Sequence, residues 1–89
     1  LEEMALPARA RRLDAWLSAH PRPTNANVRE YLYQHSWIVA GARFGWWRGE
    51  EALRELVRVD RRAQRVWGIG AKSERVARRA LRFVAARSR

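Results

Sequence analysis

The chain has 89 residues, the size of one small domain, and contains no cysteine, which excludes disulfides and thiolate metal sites. Nineteen basic residues outnumber nine acidic ones, giving a formal net charge of +10. Residues 61–89 carry ten basic residues and one acid, whereas residues 1–60 carry nine and eight. This concentration of charge predicts a polyanionic partner, most commonly nucleic acid. The longest apolar run is too short to span a bilayer, so no membrane partner is expected, and the default location is intracellular.

The expected fold is all-α: a compact bundle of four or five short helices. A first helix is predicted to begin near Pro7, which suits a first turn, and to end at about His20. Thr24 or Asn25 is predicted to cap a second helix after the prolines of residues 21–23. The apolar faces of these two helices are Leu6, Ala10, Leu13 and Leu17, then Val28, Tyr31, Leu32, His35 and Val39.

Three glycines within residues 40–49 predict an end to helical structure there, with a small β-ribbon near residues 37–47 as an alternative. A third helix is expected from Gly49 or Glu50, and Asp60 is expected to cap a short fourth helix ending at Trp67. The predicted domain covers residues 6–86, a single helical nucleic-acid-binding domain. Residues 1–5 are expected to be a flexible tail or cloning remnant, and residues 87–89 a disordered basic tail. A start at Leu rather than Met is expected either for a domain cut from a larger protein or for a chain that carries a cloning remnant.

The last helix, predicted from about Lys72 to Ala86, has the clearest pattern. At 100° per residue one side is apolar: Val76, Ala77, Ala80, Leu81, Phe83 and Val84. The opposite side is basic: Arg75, Arg78, Arg79 and Arg82, with Lys72 beside them. Like charges at these spacings cost roughly 0.2–0.5 kcal/mol per pair. Because no acids are interleaved, a polyanion-binding face is favoured over a merely solvated one.

Residues 65–73, RVWGIGAKS, place two glycines one residue apart before Lys and Ser. Over residues 58–82 the chain resembles the helix-hairpin-helix family, and the similar helix-two-turns-helix element. The resemblance implies duplex DNA rather than RNA, with Ser73 adding a hydroxyl contact and Ile69 plugging between the two helices. It also implies contacts to one backbone phosphate from Gly68, Gly70, Ala71 and Lys72. Where the family usually has a small Ala, this chain has Glu74. The alternative is a plain turn with Gly68 as a C-cap and Ser73 as an N-cap.

The expected nucleic-acid contacts are therefore the glycine turn and the basic residues around it. They are Arg61, Arg62, Arg65, Gly68, Gly70, Ala71, Lys72, Ser73, Arg75, Arg78, Arg79 and Arg82. A second candidate surface interleaves aromatics with arginine, a pattern that can stack on exposed bases or contact a partner protein. Its residues are Arg43, Trp46, Trp47 and Arg48. The alternative is that Phe44 and one of the two tryptophans fill the core, leaving the other exposed.

Other functional classes have little support in the sequence. A helix-turn-helix beginning at residues 24–35 would lack a basic reading helix. His20 is interpreted as a helix cap and His35 as a partly buried structural residue, so no enzyme activity, cofactor or metal is expected. The rival hypotheses are a tryptophan-rich module that docks on an acidic protein, and an auxiliary domain of a larger nucleic-acid enzyme. The sequence leaves the oligomeric state open.

Overall fold

Four α-helices make up the computed structural model, which describes residues 5–87. They are α1 (Leu6–Ala19), α2 (Asn25–Arg43), α3 (Gly49–Trp67) and α4 (Ala71–Arg87). No strand occurs within these residues, and the predicted all-α bundle is confirmed with four helices. Residues 1–4 and 88–89 of the two predicted tails lie outside the described residues.

The predicted bounds of the first helix and the predicted start of the second are correct, and side chains explain them. Pro7 lies in the first turn of α1, where its missing N–H costs no hydrogen bond. His20 caps the other end, with Nδ1 2.8 Å from the carbonyl oxygen of Trp16. Thr24 is the N-cap of α2, and its hydroxyl accepts a hydrogen bond of 3.1 Å from the backbone N–H of Asn27. The contacts of His20 and Thr24 satisfy backbone groups at helix ends that have no partner within the helix.

Helices α2 and α3 form the centre of the bundle, and α1 and α4 flank them. α3 packs against all three other helices, and α2 also contacts α1 and α4, whereas α1 and α4 do not touch. The buried face of α4 is narrow and consists of small side chains: Ser73, Ala77, Ala80 and Val84. Val76 and Phe83, predicted to be on the apolar side, are about half exposed because that side is wider than the contact with the bundle.

The structure of the glycine-rich segment, residues 40–49, differs from the prediction. α2 continues through Gly41 to Arg43, so residues 37–43 are helical and no β-ribbon forms. Gly41 is needed for packing, because a Cβ at this position would lie 2.7 Å from the Trp46 ring. Gly49 is also a packing glycine, since a Cβ there would lie 2.9 Å from the Cα of Ala42. Only Gly45 of the three uses the left-handed region, with φ 87°.

Asp60 does not cap a fourth helix. It lies fully buried within the unbroken α3, where its carboxylate accepts a hydrogen bond of 2.6 Å from the Tyr31 hydroxyl. His35 Nε2 lies 2.8 Å from the other carboxylate oxygen. Burial, followed by the charge and hydrogen bond of Asp60, raises the pKa of Tyr31 far above its ordinary value. This buried polar network joins α2 to α3 and gives His35 the structural role expected of it.

Arg87 belongs to α4 rather than to a disordered tail. Its guanidinium donates hydrogen bonds of 2.7 Å to the carbonyl of Arg43 and 3.4 Å to that of Ala42. Both carbonyls lie in the last turn of α2, where helical hydrogen bonding ends, and that of Ala42 also accepts a hydrogen bond of 3.1 Å from the backbone N–H of Gly45. A basic side chain at this position also suits the negative end of the α2 dipole. Arg87 therefore fixes the end of α4 beside the end of α2.

Candidate nucleic-acid interface

A groove of about 440 Å³ lies between the C-terminal end of α2 and the outer side of α4. We call it the basic groove, and its lining residues are Arg43, Lys72, Arg75, Val76, Arg79 and Ala80. Lys72, Arg75 and Arg79 follow helical spacing along α4, as the sequence predicted. Arg43 was assigned from the sequence to the aromatic surface, but the fold places it with these three cations.

The four cations of the basic groove are Arg43, Lys72, Arg75 and Arg79. Among residues 5–87, none of them forms an ion pair with an acidic side chain. Arg82 continues the stripe one turn further along α4, and Arg65 lies on α3; both are exposed and also lack an ion pair within this range. The positive potential of the groove is therefore available to an external anion.

Three other arginines that were predicted to contact nucleic acid instead pair with acidic side chains of the protein. Arg62 donates to the Asp14 carboxylate at 2.7 Å and to the Asp14 carbonyl at 2.6 Å, which ties α3 to α1. Arg78 and Arg61 both approach the same oxygen of Glu74, at 2.6 Å and 3.4 Å. Arg62 and Arg61 link different helices, whereas Arg78 pairs within α4. Within the described residues, all three therefore have acidic partners, which distinguishes them from the cations of the basic groove.

Glu74 links the two helices that flank the glycine turn. Besides the two arginines, it accepts a hydrogen bond of 2.7 Å from the Gln64 amide. The hydrogen bonds from Gln64 and Arg78 lower the pKa of Glu74 below its ordinary value. The residue that departs from the helix-hairpin-helix pattern thus has a role of its own, as a polar link between α3 and α4.

The glycine turn has the backbone expected of its glycines but not the expected side-chain packing. Gly68 caps α3 with φ 73°, and Gly70 has φ 120°. Ile69 is 46% exposed and does not plug between the helices, because the turn carries it on the outer side. Ser73 is not an N-cap either: α4 begins at Ala71, so Ser73 is buried in the first turn. Above Gly68 the surface is open, with nothing within 4 Å of where a Cβ would lie.

Of the two adjacent tryptophans, one packs against the core and the other is exposed, as the sequence predicted. Trp46 packs against the core, with its ring centroid 5.9 Å from that of Trp37. Trp47 is 65% exposed, and the guanidinium carbon of Arg48 lies 5.8 Å from its ring centroid. Phe44 was expected to fill the core but is 82% exposed. It directly follows α2, whose end projects it away from the bundle.

Exposed rings on α2 line a second, apolar groove of about 430 Å³, which we call the aromatic groove. Its lining residues are Tyr33, Ser36, Trp37, Ala40, Gly41, Phe44 and Trp46. A smaller depression of about 360 Å³, the connecting groove, is lined by Ala40, Arg43, Phe44 and Phe83. Sequence reasoning missed Tyr33, Trp37 and Phe83 as surface residues. The spacing of four residues between Tyr33 and Trp37 was the available signal of a shared helix face.

Both histidines of the chain take part in structural contacts. His20 stacks on Trp16 with 4.4 Å between ring centroids, and His35 is held by Asp60. The part of the chain that comprises residues 5–87 contains no cluster of three side chains that could ligate a metal ion. Among its helices, none has the length and apolar character needed to cross a membrane. No protein-family model, curated protein or solved structure matches the chain.

Proposed function

We propose that this protein binds nucleic acid, with duplex DNA the favoured ligand, by placing backbone phosphates in the basic groove. The observation that carries the proposal is the set of four cations, from two helices, that have no acidic partner in the described part of the chain. Guanidinium groups suit phosphate because they donate several hydrogen bonds in a fixed fork. Such a ligand is consistent with an intracellular protein.

The outer face of α3 provides an internal comparison. There Arg54 pairs with Glu50 at 2.6 Å, and Arg58 pairs with Glu55 at 3.0 Å. A solvated face in this protein therefore mixes positive and negative charges, as surface helices usually do. The basic groove does not, and this contrast favours a binding role over simple solvation.

Counterion release predicts how steeply the binding constant should fall with salt concentration. Each phosphate neutralised on duplex DNA contributes a slope of about −0.9 to the dependence of log K on log salt concentration. If each of the four cations meets one phosphate, the expected slope is roughly −3.6. Any contact made by the glycine turn and the first amides of α4 would be additional, as the family resemblance implies.

The test is fluorescence anisotropy with labelled duplex DNA, single-stranded DNA and RNA at several salt concentrations. The double variant Arg75→Gln/Arg79→Gln should weaken duplex binding and make the salt slope shallower by about 1.8. The matched control Arg54→Gln/Arg58→Gln removes the same charge from the outer face of α3 and should leave the slope nearly unchanged. Equal losses in the two variants would mean that only net charge matters and would refute a defined site.

Exposed aromatic side chains favour a second candidate, docking on an acidic protein surface. Phe44 and Trp47 stand among arginines and are the most exposed rings in the described residues. Aromatic residues and Arg are enriched at protein interfaces. This alternative predicts no binding to any of the three nucleic acids even at low salt, and that result would replace the first proposal.

A further inference from the structure

The basic groove and the aromatic groove are parts of one continuous surface. Arg43 lines both the basic groove and the connecting groove. Ala40 and Phe44 line both the connecting groove and the aromatic groove. The guanidinium carbon of Arg43 lies 5.0 Å from the Phe83 ring centroid, at the point where cationic lining gives way to aromatic lining. A flexible chain seated in the basic groove can therefore continue over Arg43 onto the rings.

The charges along this surface identify its occupant. Within the described residues, no acidic side chain lines any of the three grooves. Arginines also flank the rings themselves, with Arg9 5.3 Å from the Trp37 ring centroid and Arg87 5.2 Å from that of Phe83. A second copy of this chain, with a net charge of +10, would bring like charges together. The surface instead suits a polyanion that also carries flat apolar groups.

Unpaired nucleic acid has this chemistry, whereas a blunt duplex does not. Within a duplex the faces of the bases are stacked on one another, so away from the duplex ends Phe44 and its neighbouring rings meet no exposed base face. In a single strand each base presents a π-face, and stacking on aromatic side chains tolerates any sequence. The 82% exposure of Phe44 makes it the most accessible ring of this surface.

We infer that the preferred ligand is a DNA duplex with a single-stranded extension, and this rests on the proposed function. The strand's phosphates lie in the basic groove. Its unpaired continuation passes Arg43 and stacks its bases on Phe44 and the rings of the aromatic groove. Arg43 positions the strand at the boundary, where its guanidinium can hold a phosphate while lying against Phe83.

The test uses three labelled probes: a blunt duplex, the same duplex with a thymidine overhang of about six nucleotides, and the overhang strand alone. The overhang duplex should bind tightest. Phe44→Ala should weaken its binding at least about fivefold, the lower end of one stacking contact, and leave blunt-duplex binding unchanged. Trp47→Ala is the matched control, because Trp47 is an exposed ring that lines none of the three grooves, and it should change neither affinity.

Two outcomes overturn the inference while leaving the proposed function intact. One is equal affinity for blunt and overhang duplexes. The other is a wild-type dimer in sedimentation velocity that Phe44→Ala dissociates, which would make the aromatic groove a contact between copies. If no probe binds at low salt, both the inference and the proposed function fail. Both substitutions remove exposed side chains, so far-UV circular dichroism should show intact helices for either variant.

Discussion

Replacing Tyr31 by Phe removes one hydroxyl from the centre of the bundle and leaves the rest of the ring in place. In the wild type this hydroxyl donates a 2.6 Å hydrogen bond to Asp60, whose carboxylate is fully buried. In Tyr31→Phe the affected oxygen has no other side-chain donor within the described residues, because His35 contacts the second oxygen. A buried acceptor left without its donor costs about 1–3 kcal/mol. For a domain of this size, 1 kcal/mol corresponds to roughly 4–8 °C in Tm, so a loss of about 2 kcal/mol lowers Tm by about 8–16 °C.

Thermal unfolding followed by far-UV circular dichroism measures this effect directly. The matched control is Tyr33→Phe, which deletes the same hydroxyl from the same helix at a position that is 59% exposed. A surface change of this kind should alter the free energy of unfolding by less than about 0.5 kcal/mol. If the two variants lose the same stability, the Asp60 network does not hold α2 to α3 and the reasoning is refuted.

The remaining predictions concern the α3–α4 link and the helical glycine. Because hydrogen bonds from Gln64 and Arg78 lower the pKa of Glu74, its stabilising effect is present at neutral pH and is lost as pH falls through that lowered value. Glu74→Gln should therefore reduce the urea midpoint at pH 7 but converge with the wild type as pH falls below the lowered pKa of Glu74; a gap that stays constant with pH would contradict this. Gly41→Ala gains about 1 kcal/mol of helix propensity, but displacing the Trp46 ring costs about 1–3 kcal/mol, so we expect a lower Tm and an altered near-UV spectrum. A higher Tm would show that the ring moves freely.

The sequence predicts those features of the fold that depend on neighbouring residues. Pro7, Thr24 and Gly68 mark helix ends through local geometry, and each lies where the structure begins or ends a helix. The basic stripe of α4 is equally local, because its members are three and four residues apart. Helical periodicity therefore predicts most of one wall of the basic groove before any tertiary structure is known.

Features that depend on distant partners were not predictable in the same way. Asp60 looks like a helix cap until Tyr31 and His35, on another helix, are seen to bind it. Gly41 looks like a helix breaker until the Trp46 ring is placed against it. Arg43 belongs to an aromatic motif by sequence, and only the packing of α2 on α4 brings it into the basic groove. Each of these residue types has two common roles in proteins, and the contacts of the tertiary structure determine which role it has here.

The arrangement of the five tryptophans has a spectroscopic consequence. Trp16 and Trp67 form an edge-to-face pair with centroids 6.1 Å apart, and Tyr31 contacts the second ring. Trp37 and Trp46 form another pair, and within residues 5–87 no ring contact joins the two pairs. Intrinsic fluorescence should therefore contain separable signals from the two pairs, besides the emission of the exposed Trp47, without any added label. Unfolding changes the emission of both pairs, whereas a ligand seated in the aromatic groove quenches the second pair and leaves the first emitting.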